Sequence, residues 1–238
     1  MTVEQTRQLV RKVASRLKKD YSVPSVAVHR EALDELLLGI LATGSSERRA
    51  NAALHALAEE YVDWNELRIS SACDIAAALP EGDVPDALAV ATMLRDVLNR
   101  VYEAASEMSL QSFKERPAQD AVKVFAGVRG FPEPALARAV VLALGREELP
   151  LTAGVAEVCR RLALVENDQE DKLTKLLPKG SLFEFHSLMY RHAQSVCLPD
   201  QPRCAQCHLC ADCRTGRANT GASTTRRRSA ASAKRKGS

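Results

Sequence analysis

Apolar residues recur at three- and four-residue intervals along most of the chain, and no stretch alternates apolar and polar β-branched positions, so the pattern predicts helices throughout. The first amphipathic helix is expected over residues 3–19, stopping before Val23-Pro24. A second, over 31–42, carries Leu33, Leu36, Leu37, Leu38, Ile40 and Leu41 on nearly every face, the mark of a central buried helix. Ser45 or Ser46 caps a third, which presents Ala52, Leu54, Leu57 and Ala58 and reaches Tyr61. A short helix at 72–79 and a long one at 85–104 follow, the latter with Leu88, Val90, Met93, Leu94, Val97 and Val101 in register. After a helix at 117–126, Gly127 to Pro132 breaks the pattern as a tight turn. The next helix, 133–144, has Pro134 in its first turn and Gly145 just past its end, the asymmetry helices favour. Thr152 caps another through residue 164, and two more are expected over 168–177 and 181–196. The expected fold class is all-α, with no fixed-period repeat.

Length and composition change this picture little. With 238 residues, 46% of them hydrophobic, the chain can bury one large core or two smaller ones. No apolar run reaches bilayer-spanning length and none resembles a secretion signal, so the expectation is a soluble, cytoplasmic protein without a membrane partner, nucleoid-associated if the source is bacterial. Charge is more informative in its distribution than in its total of +3. Residues 1–213 hold 25 basic and 30 acidic side chains, a net −5, whereas residues 214–238 hold eight basic and no acidic ones, a net +8. Arg226, Arg227, Arg228, Lys234, Arg235 and Lys236 sit among Ser, Ala, Thr and Gly without apolar periodicity. A disordered tail is expected, either solubilising or acting as a salt-sensitive phosphate binder.

The candidate chemistry lies near the C-terminus. Cys197, Cys204, Cys207 and Cys213 stand in the spacing C-x6-C-x2-C-x5-C within seventeen residues, which suits four thiolates around an iron-sulfur cluster or a tetrahedral zinc. Cys204, Cys207, Cys210 and Cys213 also read as C-x2-C-x2-C-x2-C, a set that could close on zinc without Cys197, with His208 nearby. The remaining cysteines, Cys73 and Cys159, fall singly in apolar helical stretches and read as core residues rather than parts of a disulfide framework. His186 and His192 are six apart, off a common helical face, and read as buried hydrogen-bonding groups, not a metal pair.

Three stretches together carry a family resemblance. GFPEPALARAVVLALGREELPLTAGVAEVCRRLALV (130–165), HSLMYRHAQSVC (186–197) and the cysteine spacing resemble the C-terminal half of endonuclease III-like helix-hairpin-helix (HhH-GPD) DNA glycosylases. The resemblance implies a six-helix barrel over residues 28–145 and an iron-sulfur domain built from 1–27 and 146–213, followed by the basic tail at 214–238. It implies a [4Fe-4S] cluster on Cys197, Cys204, Cys207 and Cys213, with zinc as the alternative, and double-stranded DNA as partner in the cleft between the domains. Phosphate contacts are expected at Gly127, Gly130 and Ala135 and at Arg191, Arg203 and Arg214, with a small polar wedge at Thr43-Gly44-Ser45.

This chain departs from the family where its members do chemistry. The hairpin pattern L-P-G-x-G-x-K is matched by Phe131-Pro132-Glu133-Pro134-Ala135-Leu136-Ala137, so both glycines and the lysine are replaced. Aligned on the hairpin, the lysine position is Ala137; counted back from the aspartate position, it is Pro134. The aspartate position itself is Thr152, and Gly154 stands where many members have a histidine. Neither Ala137 nor Pro134 supplies an amine for a Schiff base, and a threonine hydroxyl does not replace a carboxylate in general acid-base work, which is typically worth about 10²- to 10⁴-fold. The expectation is a DNA-binding protein of base-excision-repair ancestry without normal glycosylase or lyase activity. Thr152 is expected to keep the aspartate's other task, capping the helix. The alternatives are an active enzyme with a relocated nucleophile, for which Lys123, Glu133, Lys175 and Lys179 are available, and a zinc-bound interaction module.

Overall fold

The computed structural model describes residues 2–23, 30–165 and 173–221, and among them there are helices and turns but no strand. The chain forms two compact units, Ser25–Pro150 and Met1–Pro24 with Leu151–Ser238.

The first unit is built around α2 (Ala32–Leu41), where Leu33, Leu36, Leu37, Leu38, Ile40 and Leu41 are all buried. At about 1.5–3 kcal/mol per fully buried aliphatic side chain, this helix organises the core. It packs against α3 (Glu47–Glu60), α6 (Ala87–Ala105) and α8 (Glu133–Ala137). Helices α4 (Trp64–Ile69), α5 (Ala72–Ala78) and α7 (Ala118–Phe125) complete the unit. The approach of α2 to α8 depends on Gly39, since a Cβ there would lie 2.7 Å from both Cα and Cβ of Ala135. Ser46, not Ser45, caps α3, by accepting from the Arg49 amide. Helix α4 has no counterpart among the expected elements. It is one and a half turns long, capped by Asp63 on the Glu66 amide, and leaves Val62 and Ile69 in solvent, so it shows almost no apolar period.

The helix expected over 133–144 changes character midway. After α8 the backbone widens into a π-helical segment, Arg138–Ala143, in which the Leu144 amide donates to the Ala139 carbonyl at 2.9 Å. Arg138 opens this segment and is buried, yet its guanidinium donates to Glu35, itself fully buried, and to both oxygens of Glu47 at 2.8 and 3.2 Å. Burial alone would lower the Arg138 pKa; the Glu47 and Glu35 hydrogen bonds outweigh it and raise it.

In the second unit, α1 (Val3–Asp20) begins with a reciprocal capping box between Thr2 and Gln5 and buries Val10, Val13 and Leu17. It packs on α10 (Leu182–Ser195), and α10 packs on α9 (Ala153–Arg161). A further helix, α11 (Arg214–Thr220), stands where the basic tail was expected to begin. Its first turn is anchored by Cys213, whose sulfur accepts from the Gly216 amide at 3.3 Å, and Gly216 packs so tightly that a Cβ would lie 3.1 Å from Cα of Cys210. The rest of the tail, 222–238, and the first half of the helix expected at 168–177 lie outside the described residues. No helix among the described residues is long and apolar enough to cross a membrane.

Candidate metal centre and nucleic-acid contacts

The end of α10 and the loop after it wrap four cysteines around one small cavity. Cys197 follows the last turn of α10, its amide donating to the His192 carbonyl at 2.8 Å. Cys204 opens a 3₁₀ turn, Cys204–Gln206, and Cys207 follows it. Cys213 ends the loop with its amide on the Leu209 carbonyl at 2.9 Å and caps α11. Val158, Leu162, Val196 and Leu209 supply apolar walls. Cys210 does not line the cavity; its sulfur faces the Thr220 hydroxyl at 3.4 Å. His208 is not part of the lining either, since it stands exposed with Nδ1 2.8 Å from Asp20. The structure thus brings Cys197, Cys204, Cys207 and Cys213 together and leaves the compact set through Cys210 apart.

Each of the four sulfurs has a nitrogen within hydrogen-bond reach, and Cys207 also has the Leu209 amide. Arg161 Nη1 lies 3.5 Å from Cys197, Asn219 Nδ2 3.5 Å from Cys204, His192 Nε2 3.5 Å from Cys207 and the Gly216 amide 3.3 Å from Cys213. Arg161 also donates to the carbonyls of Leu198 at 2.8 Å and Pro199, while Glu157 holds its Nε at 2.6 Å. A free thiol resists ionisation here. Burial, with the neighbouring cysteines, pushes Cys207 up to about 11 against a partial offset from the Leu209 amide. Burial also raises Cys197, despite Arg161 beside it. The donor set therefore fits a group that binds four thiolates and compensates their charge. Among the described residues no three His, Cys, Asp or Glu side chains converge as ligands of a single ion.

His186 and His192 are both buried, and they serve different neighbours. Burial pushes His192 down to about 4, with Asp20 opposing, and its Nδ1 lies 3.3 Å from the Tyr21 hydroxyl. Burial pushes His186 down to about 3; its Nε2 pairs with Thr152 Oγ1 at 3.1 Å, and its buried Nδ1 has no hydrogen-bond partner among the described residues. Thr152 precedes α9 in the cap position, but its side chain makes no cap hydrogen bond. The expectation that it caps the helix through its hydroxyl is therefore corrected: the buried imidazole is within reach of that hydroxyl. Ala137 is fully buried, and Lys123, Lys175 and Lys179 are exposed, with Lys123 paired to Asp120 at 3.0 Å.

Of the residues expected to meet phosphate, Gly127 and Gly130 lie in an exposed turn, with Gly130 at φ +74°. The amides of Val128 and Phe131 close that turn on Phe125 and Val128, and stacked rings of Phe125 and Phe131, 5.1 Å apart, brace it. Ala135 does not serve in the expected way: it is buried against Gly39, and its amide donates to Pro132 at 2.8 Å. Arg191, Arg203 and Arg214 are exposed on the cysteine-bearing unit. Arg100 was not foreseen. It reaches from α6 to the turn, where a Cβ on Gly127 would lie 3.3 Å from its Nη2. In sequence it is one more charge on a helix's polar face, 27 residues before the turn. In the turn expected as a wedge, Ser45 is tied to the Asp83 carbonyl at 2.7 Å and Thr43 to the Gly39 carbonyl at 3.3 Å.

The all-helical architecture is the endonuclease III-like helix-hairpin-helix fold. An endonuclease III in a non-covalent DNA complex superposes with a TM-score of 0.53 at 18% identity over 92% of this chain and 99% of that one. An endonuclease III trapped covalently on DNA gives 0.52 at 19%, with the same coverage, and a thermostable thymine-DNA glycosylase gives 0.51 at 16% over 88% and 96%. No family model and no curated protein matches the sequence.

Proposed function

We propose that this chain is a double-stranded-DNA-binding protein of endonuclease III ancestry that holds a [4Fe-4S] cluster on Cys197, Cys204, Cys207 and Cys213 and has lost the base-excision chemistry of the family. The observation that carries the cluster reading is that all four cavity-lining sulfurs have nitrogen partners within hydrogen-bond reach, those of Arg161, Asn219 and Gly216 being donors and that of His192 a donor when protonated at Nε2. Such donors suit the electron-rich thiolates of a cluster, whose properties they help to set. Once bound, the cluster would neutralise the ionised sulfurs and brace the loop that carries Arg203 and leads into α11.

DNA binding is supported by the fold and by side chains that suit phosphate. The turn at Gly127–Gly130 keeps exposed backbone beside Arg100 and Arg129, and Arg191, Arg203 and Arg214 are exposed on the other unit. Loss of excision chemistry is supported by Ala137, Pro134 and Thr152, none of which offers an amine or a carboxylate.

The test is anaerobic purification followed by a visible spectrum, iron and sulfide analysis, and binding and cleavage assays. Duplexes bearing uracil, an oxidised pyrimidine or an abasic site are compared at two salt concentrations. A brown protein with about four irons per chain, binding all duplexes more weakly at high salt and cleaving none, is expected. A colourless zinc protein indifferent to DNA would overturn the proposal. So would base release, or a borohydride-trapped adduct on the abasic duplex that one lysine substitution abolishes.

A further inference from the structure

Tyr21 follows α1 as its C-terminal cap, and four polar contacts hold the C-terminal half of the helix on the cysteine loop. Asp20 meets His208 at 2.8 Å, Lys12 meets Asp212 at 2.7 Å, and Arg16 pairs with Asp212 and donates to the His208 carbonyl at 3.1 Å. The Tyr21 amide closes the helix on the Leu17 carbonyl at 2.8 Å. Its ring stands edge-on to His192, centroids 6.2 Å apart, with the hydroxyl 3.3 Å from Nδ1 and 2.7 Å from the Ser195 hydroxyl. The other nitrogen of His192 faces Cys207 at 3.5 Å.

A neutral imidazole carries its proton on one nitrogen only, and the partner of the other nitrogen decides which. A metal-bound thiolate accepts and cannot donate, so a productive contact with Cys207 requires the proton on Nε2. Nδ1 must then accept, and the hydroxyl of Tyr21 is the donor the structure places there. The Ser195 hydroxyl lies 2.7 Å from both Tyr21 and the Arg191 carbonyl, so its one proton serves either of them; turned to the phenolic oxygen it frees the phenolic proton for His192, and turned to Arg191 it makes Ser195 a rival acceptor for that proton.

Resting on the cluster reading above, we infer that Tyr21 is a positioning residue that fixes the His192 tautomer, so that Nε2–H donates to the cluster ligand Cys207 and raises the cluster's reduction potential and its lifetime in air. An N–H donor stabilises added negative charge on the sulfur and so favours the reduced form. The opposite tautomer turns a lone pair toward the same sulfur and disfavours it. Because α1 delivers Tyr21, the N-terminal helix acts as part of the cluster's surroundings.

The test measures iron content, reduction potential and the rate of bleaching in air for the full-length wild type and for Tyr21→Phe, His192→Gln, the double variant and Ser195→Ala. Tyr21→Phe is expected to keep its iron, to reduce at a lower potential and to bleach several-fold faster. A glutamine at 192 can turn its own amide N–H to the sulfur, so Tyr21→Phe is expected to add no further change in the His192→Gln background. Ser195→Ala, at an exposed position where folding is not at stake, is expected not to lower the potential, since Tyr21 keeps its proton for His192. A brown wild type whose potential and lifetime are unmoved by Tyr21→Phe would overturn this inference alone, as would a Tyr21→Phe effect of full size in the His192→Gln background. A colourless wild type would instead remove the cluster reading on which it stands.

Discussion

The hydroxyl of Thr152 lies 3.1 Å from Nε2 of His186, with both side chains in the interior of the cysteine-bearing unit. The pair ties the start of α9 to α10, and it turns the Thr152 hydroxyl toward a neutral imidazole.

This pair makes an acid-sensitive fold. Burial holds the His186 pKa at about 3, below the ordinary value of 6.5, so the unfolded chain binds the proton that the folded chain refuses. The resulting stability is fully present above pH 6.5 and is lost as pH falls toward 3, with a slope of up to about 1.4 kcal/mol per pH unit. Urea titrations between pH 7 and 4 should show that slope added to the similar one from His192, held at about 4, and the total should fall by about half in His186→Phe. An equally steep dependence in the variant would place its origin elsewhere.

The buried pair of Arg138 and Glu35 predicts strong coupling between two positions far apart in sequence. Arg138→Met should cost roughly 3–5 kcal/mol, because the Glu35 charge is left in the core, and Glu35→Leu less, because Arg138 keeps its two hydrogen bonds to Glu47. The double variant should recover a large part of that loss, since apolar replacements satisfy each other. Additive losses in chemical denaturation would contradict the coupling.

Gly39 and Ala135 predict a steric limit. Gly39→Ala places a methyl 2.7 Å from Cα as well as Cβ of Ala135. A loss of about 1–3 kcal/mol is expected, as for an overpacked core. Adding Ala135→Gly should restore only part of it, because the backbone carbon stays in the way. Full rescue would show that the side chain alone makes the contact.

The cavity also predicts which cysteines matter for metal. Cys197→Ser should lose most of the bound iron and the visible absorption, whereas Cys210→Ser, whose sulfur faces Thr220, should retain both. Iron analysis after anaerobic purification reads the difference directly, and loss in both variants would mean that the loop tolerates no change of any kind.

Much of the helical order was legible from spacing alone, because long helices such as α1, α2 and α6 bury one face against a core and so repeat their apolar residues. Helix α4 was hidden because six residues with two exposed apolar side chains at and beside its ends carry no period. The π-helical segment was hidden for a different reason: its apolar residues are compatible with an α-helix, and only the long-range partners of Arg138 mark the spot. The cysteine spacing offered two overlapping sets but could not say which sulfurs share a cavity; that required seeing Cys210 turned toward Thr220. Thr152 shows the same limit. A threonine before a helix is read as a cap because local hydrogen bonding is what a sequence window contains, and His186 stands 34 residues further on.

Arg161 grips consecutive residues at the root of the cysteine loop, donating to the carbonyls of Leu198 and Pro199 and to the sulfur of Cys197. Variation in loop length should therefore be uneven. Extra residues inserted between Asp200 and Gln201, both exposed and beyond the reach of the guanidinium, would only lengthen the arch. The same residues inserted between Cys197 and Pro199 would slide the backbone out of the arginine's grasp, leaving a half-buried cation unanswered and the first ligand adrift.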